Sequence, residues 1–181
     1  MKKSATILLA SAILFAPSVA FAHPGQGAGV SAGFLHPFTG VDHFLALVFL
    51  GAFASQLAPR RSLALGSGFL LAFVLAFAAA RSGFSLPAQE AVLAASLLGM
   101  GMLVMVGRRL PFAVSLSVTA LFAAYHGSAH GVELGAFALT SSLAGFFLAG
   151  LMLTGGTYAV GRLFSRGKEH PSTACLASCT S

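Results

Sequence analysis

The residues best suited to chemistry lie in two short stretches beside long apolar runs. The stretch 36–43 places His36, Asp42 and His43 within eight residues. The stretch 125–133 holds His126, His130 and Glu133 at the spacing i, i+4, i+7, which puts them within about 60° on one helical face. Each stretch offers two imidazole nitrogens and one carboxylate oxygen, which are ligands of divalent first-row transition metals. This ligand set does not choose between nickel, cobalt, copper and zinc.

The composition indicates an integral membrane protein. Hydrophobic residues make up 57% of the chain and charged residues 8%, whereas a soluble domain is about a quarter charged. The net charge of +6 comes from short basic clusters between apolar runs, a pattern that reports topology rather than a nucleic-acid surface. The expected surroundings are therefore a lipid bilayer. Histidines and acids at membrane depth are a functional site by default.

The N-terminus has the pattern of a cleaved signal peptide over residues 1–22. Lys2-Lys3 precedes an apolar stretch from 7 to 15, and Ala20-Phe21-Ala22 gives a small-x-small cleavage site. An uncleaved first helix is the alternative. Cleavage would make His23 the new N-terminus in a bacterial periplasm, where its amine and imidazole could add a ligand to the metal site.

The rest of the chain divides into a membrane domain, 23–164, and a flexible cytoplasmic tail, 165–181. Five apolar runs in the domain approach the roughly 20 residues that a membrane-spanning helix needs. The fifth is long enough to contain a re-entrant turn. The runs cover approximately 41–58, 62–80, 88–106, 111 to the second histidine stretch, and 136–161.

Basic residues predict the orientation of these helices. Arg60-Arg61, Arg108-Arg109 and Arg162 with its neighbours fall on one side, which the positive-inside rule makes cytoplasmic. The N-terminus is then periplasmic and the C-terminus cytoplasmic, in a multi-pass protein of the bacterial inner membrane. Cys175 and Cys179 would lie in a reducing compartment, where a disulfide is not expected.

Residue counts from the arginines predict the depth of the polar groups. Asp42 and Glu90 each lie 18 residues from an arginine pair, and His126 lies 17 residues from one, so all three stand about 25–27 Å above the arginines. Asp42 and Glu90 could instead be helix caps that complement the dipole. Pro37 disfavours helix at the residue before it, so His36 is expected to precede the first helix.

Glycines every four residues accompany the second histidine stretch. Gly127, Gly131 and Gly135 form a small-xxx-small stripe that favours close approach of another helix. The same glycines could instead break the helix at this point. Either arrangement brings the histidines near neighbouring backbone.

At these residues the chain resembles the HupE/UreJ family of hydrogenase- and urease-accessory membrane proteins, regarded as nickel or cobalt permeases. The matching segments are His36-Pro37-x-x-Gly40-x-Asp42-His43, Leu86-Pro87-x-x-Glu90 and His126-Gly127-x-Ala129-His130-Gly131-x-Glu133. The resemblance implies import of Ni²⁺ (or Co²⁺) for delivery to metallochaperones of hydrogenase or urease maturation. The chain departs from the family pattern at Leu47, where relatives often carry Met, and at residues 152–154, where they tend to carry a further His.

The sequence therefore predicts an all-α membrane bundle of about five transmembrane helices that imports a divalent transition metal and is not an enzyme. Its expected metal ligands are His23, His36, Asp42, His43, Glu90, His126, His130 and Glu133. One alternative is a haem-binding or electron-transfer subunit with His43 and His126 or His130 as axial ligands. Another is an accessory protein that binds metal without moving it. A hydrolase with Glu133 as base lacks an HExxH pair or a nucleophile elbow.

Overall fold

The computed structural model describes residues 29–133 and 139–166, and every regular element in these ranges is helical. This confirms the all-α prediction. The predicted signal peptide, most of the glycine-rich segment after it and the tail from residue 167 lie outside the described residues. The helices are α1 (Val30–Thr39), α2 (Val41–Ser55), α3 (Pro59–Arg81), α4 (Gln89–Val106), α5 (Phe112–Glu133) and α6 (Leu139–Arg166), with a 3-10 turn at Gly107–Arg109 after α4.

Four of these helices are long and apolar enough to cross a membrane. They correspond to the segments Pro59–Arg81, Gln89–Arg109, Phe112–Val132 and Leu143–Ser165. A fifth crossing is reached if α1 and α2, which meet at an angle of 84°, count together as one broken span. Helix α6 is continuous from Leu139 to Arg166, so this described part of the fifth run contains no re-entrant turn. A bend of the kind found in broken spans and re-entrant loops lies instead between α1 and α2.

Gly40 forms the elbow between α1 and α2. Its backbone is extended, its amide donates to the His36 carbonyl at 3.3 Å, and its carbonyl accepts from the Phe44 amide at 2.9 Å. The elbow therefore caps α1 and starts α2 at a single residue. The prediction that His36 precedes the helix is wrong, because α1 runs through both His36 and Pro37 before it ends at Thr39. Pro37 is buried within α1 and gives up only one backbone hydrogen bond there.

Helices α3 and α5 pack closely along the glycines of the second histidine stretch. A Cβ at Gly127 would collide with the Phe73 carbonyl oxygen, and one at Gly131 would lie 2.6 Å from the Phe77 carbonyl oxygen. Since α5 is helical as far as Glu133, the glycines do not break it. They allow the two backbones to touch, as the small-xxx-small pattern predicts. Gly135 lies outside the described residues.

Helix α6 packs closely against both α1 and α2, again at glycines that allow two backbones to touch. A Cβ at Gly145 would strike the Val30 carbonyl oxygen of α1, and a Cβ at Gly51 of α2 would strike the Thr154 carbonyl oxygen. Helix α4 completes the bundle beside α2, where Gln56 Nε2 donates to the Val104 carbonyl at 2.9 Å. Among the core side chains between these helices, Phe53 and Leu65 are fully buried and Met100 is 1% exposed.

One end of the bundle carries the arginine clusters and is called the arginine end below. The Arg61 guanidinium stacks over the Phe112 ring at 5.6 Å, which places the start of α3 beside the start of α5. Gly161, next to Arg162, packs against Ser55 at the end of α2. Because α3 runs from the arginine end to Arg81, the start of α2 and the last turns of α5 both lie toward the opposite end.

Candidate metal centre

Four imidazoles from three helices meet near the end of the bundle opposite the arginines. They are called the histidine cluster and comprise His36 of α1, His43 of α2, and His126 and His130 of α5. The His43 ring touches each of the other three, with centroid separations of 5.1 Å to His36, 5.3 Å to His126 and 4.6 Å to His130. The His36 and His130 rings lie 5.0 Å apart. Residues distant in sequence thus form one continuous group.

Three members of the cluster have the arrangement of a metal-binding group. His36, His43 and His130 each offer one ring nitrogen, and these atoms all lie within 4.8 Å of one another. Two nitrogens bound to one ion at about 2.1 Å are at most about 4.2 Å apart. Binding of an ion therefore requires the rings to close by a few tenths of an ångström or more.

Hydrogen bonds fix the orientation of two of the rings. Nδ1 of His43 lies 3.0 Å from Oδ1 of Asp42, and Nδ1 of His126 lies 3.0 Å from the Phe122 carbonyl oxygen. Because these oxygens accept, each Nδ1 is the donor, and Nε2 of the neutral ring would then present a lone pair. A histidine that donates from one nitrogen to a carboxylate or carbonyl while the other faces a metal is the usual arrangement in metal sites.

The nitrogens left over by these bonds are buried. Nε2 of His36, His43 and His126 has no hydrogen-bond partner within residues 29–133 and 139–166. Buried polar atoms are normally partnered, so unpaired ring nitrogens in one cluster of imidazoles are consistent with a bound ligand. Imidazole nitrogen suits nickel, copper and zinc alike.

Aromatic rings and a small cavity surround the cluster. The His130 ring packs against Phe146 of α6 at 4.9 Å and against Phe73 of α3 at 5.9 Å, measured between centroids. Beneath His43 and His126 lies a cavity of about 20 Å³, otherwise lined by apolar side chains. It has room for one or two bodies of the size of water. The other lining residues are Ala46, Leu47, Phe69, Phe73 and Phe146.

Asp42 supports the site without joining the group of nitrogens. Its carboxylate is bonded to His43, and the Asp42 side chain is 26% exposed against 13% for His43. In this position Asp42 orients the imidazole and brings a negative charge close to where a cation would bind. The sequence predicts Asp42 as a metal ligand, and the structure places its carboxylate against Nδ1 of His43, outside the group of three ring nitrogens.

Glu90, in the first turn of α4, lies at the predicted depth in the bundle. It packs near the side of α5 opposite the one that carries His126 and His130. Its neighbour Gln89 donates from Nε2 to the Ser128 hydroxyl at 2.7 Å, and the Leu86 amide donates to the same oxygen at 3.1 Å. Ser128 follows His126 by two residues, which is about 200° around the helix. The start of α4 is therefore level with the cluster but faces away from it, and the Glu90 side chain is exposed.

Two predicted ligands lie outside the described side chains. His23 lies outside the described residues, and Glu133 ends α5 with a side chain that is not described. Sequence reasoning also missed the Ser128 anchor and the aromatic partners Phe73 and Phe146. The position of Ser128 between the two α5 histidines could have indicated a role near the site. Phe73 and Phe146 could not have been singled out, because the apolar runs contain many other phenylalanines.

A bundle of membrane-length helices with converging imidazoles between them defines an integral membrane protein with a candidate metal site. Comparison with known proteins is more specific. The model of the family described as HupE / UreJ protein matches residues 11–180. Protein HupE of Rhizobium leguminosarum bv. viciae is 35% identical over 153 residues, covering 83% of this chain and 80% of that protein. The chain belongs to the HupE/UreJ family. No solved structure gives a significant match.

Proposed function

We propose that this protein is a bacterial inner-membrane permease that imports a divalent transition-metal ion, Ni²⁺ or Co²⁺, for hydrogenase or urease maturation. The observation that carries the proposal is the convergence of His36, His43 and His130 from separate helices, with their ring nitrogens within 4.8 Å of one another. Membership of the HupE/UreJ family supports an accessory role of this kind. Metallochaperones are the expected recipients of the ion inside the cell.

The position of the cluster suits capture of an ion. It lies near the end of the bundle opposite the arginines, which is the periplasmic end if the positive-inside rule applies. An incoming cation would exchange water for imidazoles there, while the neighbouring Asp42 carboxylate offsets part of the cost of losing water. An inside-negative potential of 100 mV would then favour import of two charges by about 4.6 kcal/mol.

The geometry favours this function over a haem-binding subunit. The imidazole rings contact one another at 4.6–5.3 Å between centroids, so no gap separates them for a porphyrin plane. The adjoining cavity of about 20 Å³ is also far smaller than a macrocycle. An accessory protein that binds metal without transport shares the same site, and only a transport measurement separates it from a permease.

Uptake of radiolabelled nickel into proteoliposomes tests the proposal. With an inside-negative potential, the wild-type protein should accumulate nickel above empty vesicles, and His43→Ala should not. His170→Ala is the matched control, because it removes a histidine from the tail. Competition with cobalt, copper and zinc in turn would rank the ions. Binding of nickel without accumulation by the wild type would reduce the protein to a metal-binding accessory.

A further inference from the structure

Two hydroxyl groups deep in α5 are buried and have no hydrogen-bond partner among the described residues. Ser115 is 1% exposed and Thr119 is fully buried. Neither Oγ of Ser115 nor Oγ1 of Thr119 has a hydrogen-bond partner in the part of the chain that the structure describes. Neither group belongs to the histidine cluster or to any motif of the sequence.

Several other buried or half-buried hydroxyls in this bundle donate a hydrogen bond to a backbone carbonyl of their own helix. Ser96 donates to the Leu93 carbonyl at 2.6 Å, and Thr157 donates to the Leu153 carbonyl at 2.8 Å. This bond to the preceding turn is the usual solution for serine and threonine in membrane helices. An unpaired buried hydroxyl costs free energy and calls for an explanation such as a bound water or ion. Ser115 and Thr119 are exceptions, and their hydroxyls are available to a bound water or ion.

The two hydroxyls continue the face of α5 that carries the histidines. At about 100° per residue, Ser115, Thr119, His126 and His130 fall within about 60° of one another. Thr119 lies about 10 Å and Ser115 about 16 Å below His126 along the helix, toward the arginine end. Phe122 shares this face and packs against Gly99 of α4, so the face is directed into the bundle.

An apolar layer separates the histidines from the hydroxyls. The cavity beneath His43 and His126 is bounded by Leu47, Phe69 and Phe73, which contribute no polar side-chain atom. An ion that leaves the cluster toward the cytoplasm must pass this layer before it meets another donor. On α5, the next polar side chains of the same face are those of Thr119 and Ser115.

We propose that Ser115 and Thr119 line the inner half of the permeation path and supply hydroxyl oxygens to a partly hydrated divalent cation after it leaves the histidines. This inference rests on the proposed function. Hydroxyl oxygen is a weaker ligand for nickel than imidazole, so affinity falls along the path and the ion is released. Conduction requires such sites, strong enough to admit an ion and weak enough to let it go.

Cysteine labelling tests whether this face is wet, independently of transport. Ser115→Cys and Thr119→Cys are made in a chain whose native Cys175 and Cys179 are replaced by serine. A small water-soluble methanethiosulfonate should modify both new cysteines, and excess nickel should slow the reaction. Met100→Cys, which is 1% exposed in the apolar core of α4, is the control and should stay unmodified. Labelling no faster than at Met100→Cys would overturn the proposal.

Uptake by hydroxyl-deleted variants tests the role in transport. Ser115→Ala combined with Thr119→Val should lower nickel uptake about tenfold while nickel binding to the purified protein stays unchanged. Thr119→Ser, which keeps the hydroxyl, should retain uptake, and Ser117→Ala on the exposed side of α5 is the matched control. Normal uptake by the double variant contradicts the inference alone. Absence of uptake by the wild type contradicts the proposed function instead, and the labelling result then still decides whether the face is wet.

Discussion

Oδ1 of Asp42 lies 3.0 Å from Nδ1 of His43, the next residue in the chain. The pair lies at the first turn of α2, directly after the elbow at Gly40, and the His43 ring that it orients contacts the rings of His36 and His130. A local contact between neighbours in sequence thus sets the geometry of a site built from three helices.

Asp42→Asn should weaken nickel binding about 10- to 100-fold, which is the usual effect of losing a carboxylate that is hydrogen-bonded to a metal-binding histidine. The amide keeps the shape of the side chain but removes its charge and no longer selects the tautomer of His43. Isothermal titration of the purified protein measures the effect. Equal affinities for the variant and the wild type would show that the Asp42–His43 bond has no part in metal binding.

Glu90→Gln should leave nickel affinity within about threefold, because Glu90 is held with the start of α4 on the side of α5 away from the cluster. The same titration applies, with Asp42→Asn as the comparison at a carboxylate that does contact a histidine. A loss of nickel affinity as large as that of Asp42→Asn would indicate that Glu90 is a metal ligand after all.

Gly40→Ala should disturb the metal site more than the fold. A Cβ at this position would lie 2.9 Å from Nδ1 of His43 and 3.0 Å from Oδ1 of Asp42, so the pair must shift. Nickel affinity should drop while the thermal unfolding temperature changes little. Gly156→Ala is the control, since a Cβ there meets nothing within 4 Å. Unchanged affinity in Gly40→Ala would mean that the elbow tolerates a side chain.

Gly127→Ala should destabilise the bundle, because the new Cβ would collide with the Phe73 carbonyl and force α3 and α5 apart. Overpacking of this type costs about 1–3 kcal/mol. Thermal unfolding in detergent should show a clear decrease in midpoint relative to Gly156→Ala. A midpoint equal to that of the control would show that the two helices can separate at no cost.

Much of this fold follows from the sequence. Apolar runs flanked by arginines predicted the four helices that are long enough to cross a membrane, because a bilayer dictates their length. The predicted first span, 41–58, is instead the shorter helix α2, which follows the unpredicted α1. The i, i+4 spacing of His126 and His130 predicted their shared face. Helix α1 was not predicted, because a proline disfavours helix at the residue before it. In the structure, α1 continues through Pro37 and is stabilised by packing against Gly145 of α6.

The same reasoning could not complete the site. Residue counts from the arginines give the height of a side chain but not its rotation about the helix axis. Asp42, Glu90 and His126 were therefore placed at one level, yet Glu90 faces a different side of α5. The contact of His36 with His43 depends on the angle of 84° between α1 and α2, which no pattern of residues encodes.

X-ray absorption at the nickel edge of the metal-loaded, purified protein shows whether the histidine cluster binds the ion. If His36, His43 and His130 bind one ion, the spectrum should show imidazole nitrogens at about 2.1 Å, and His43→Ala and His130→Ala should each remove one of them. A coordination shell of oxygens alone, identical in the wild type and both variants, would contradict the account.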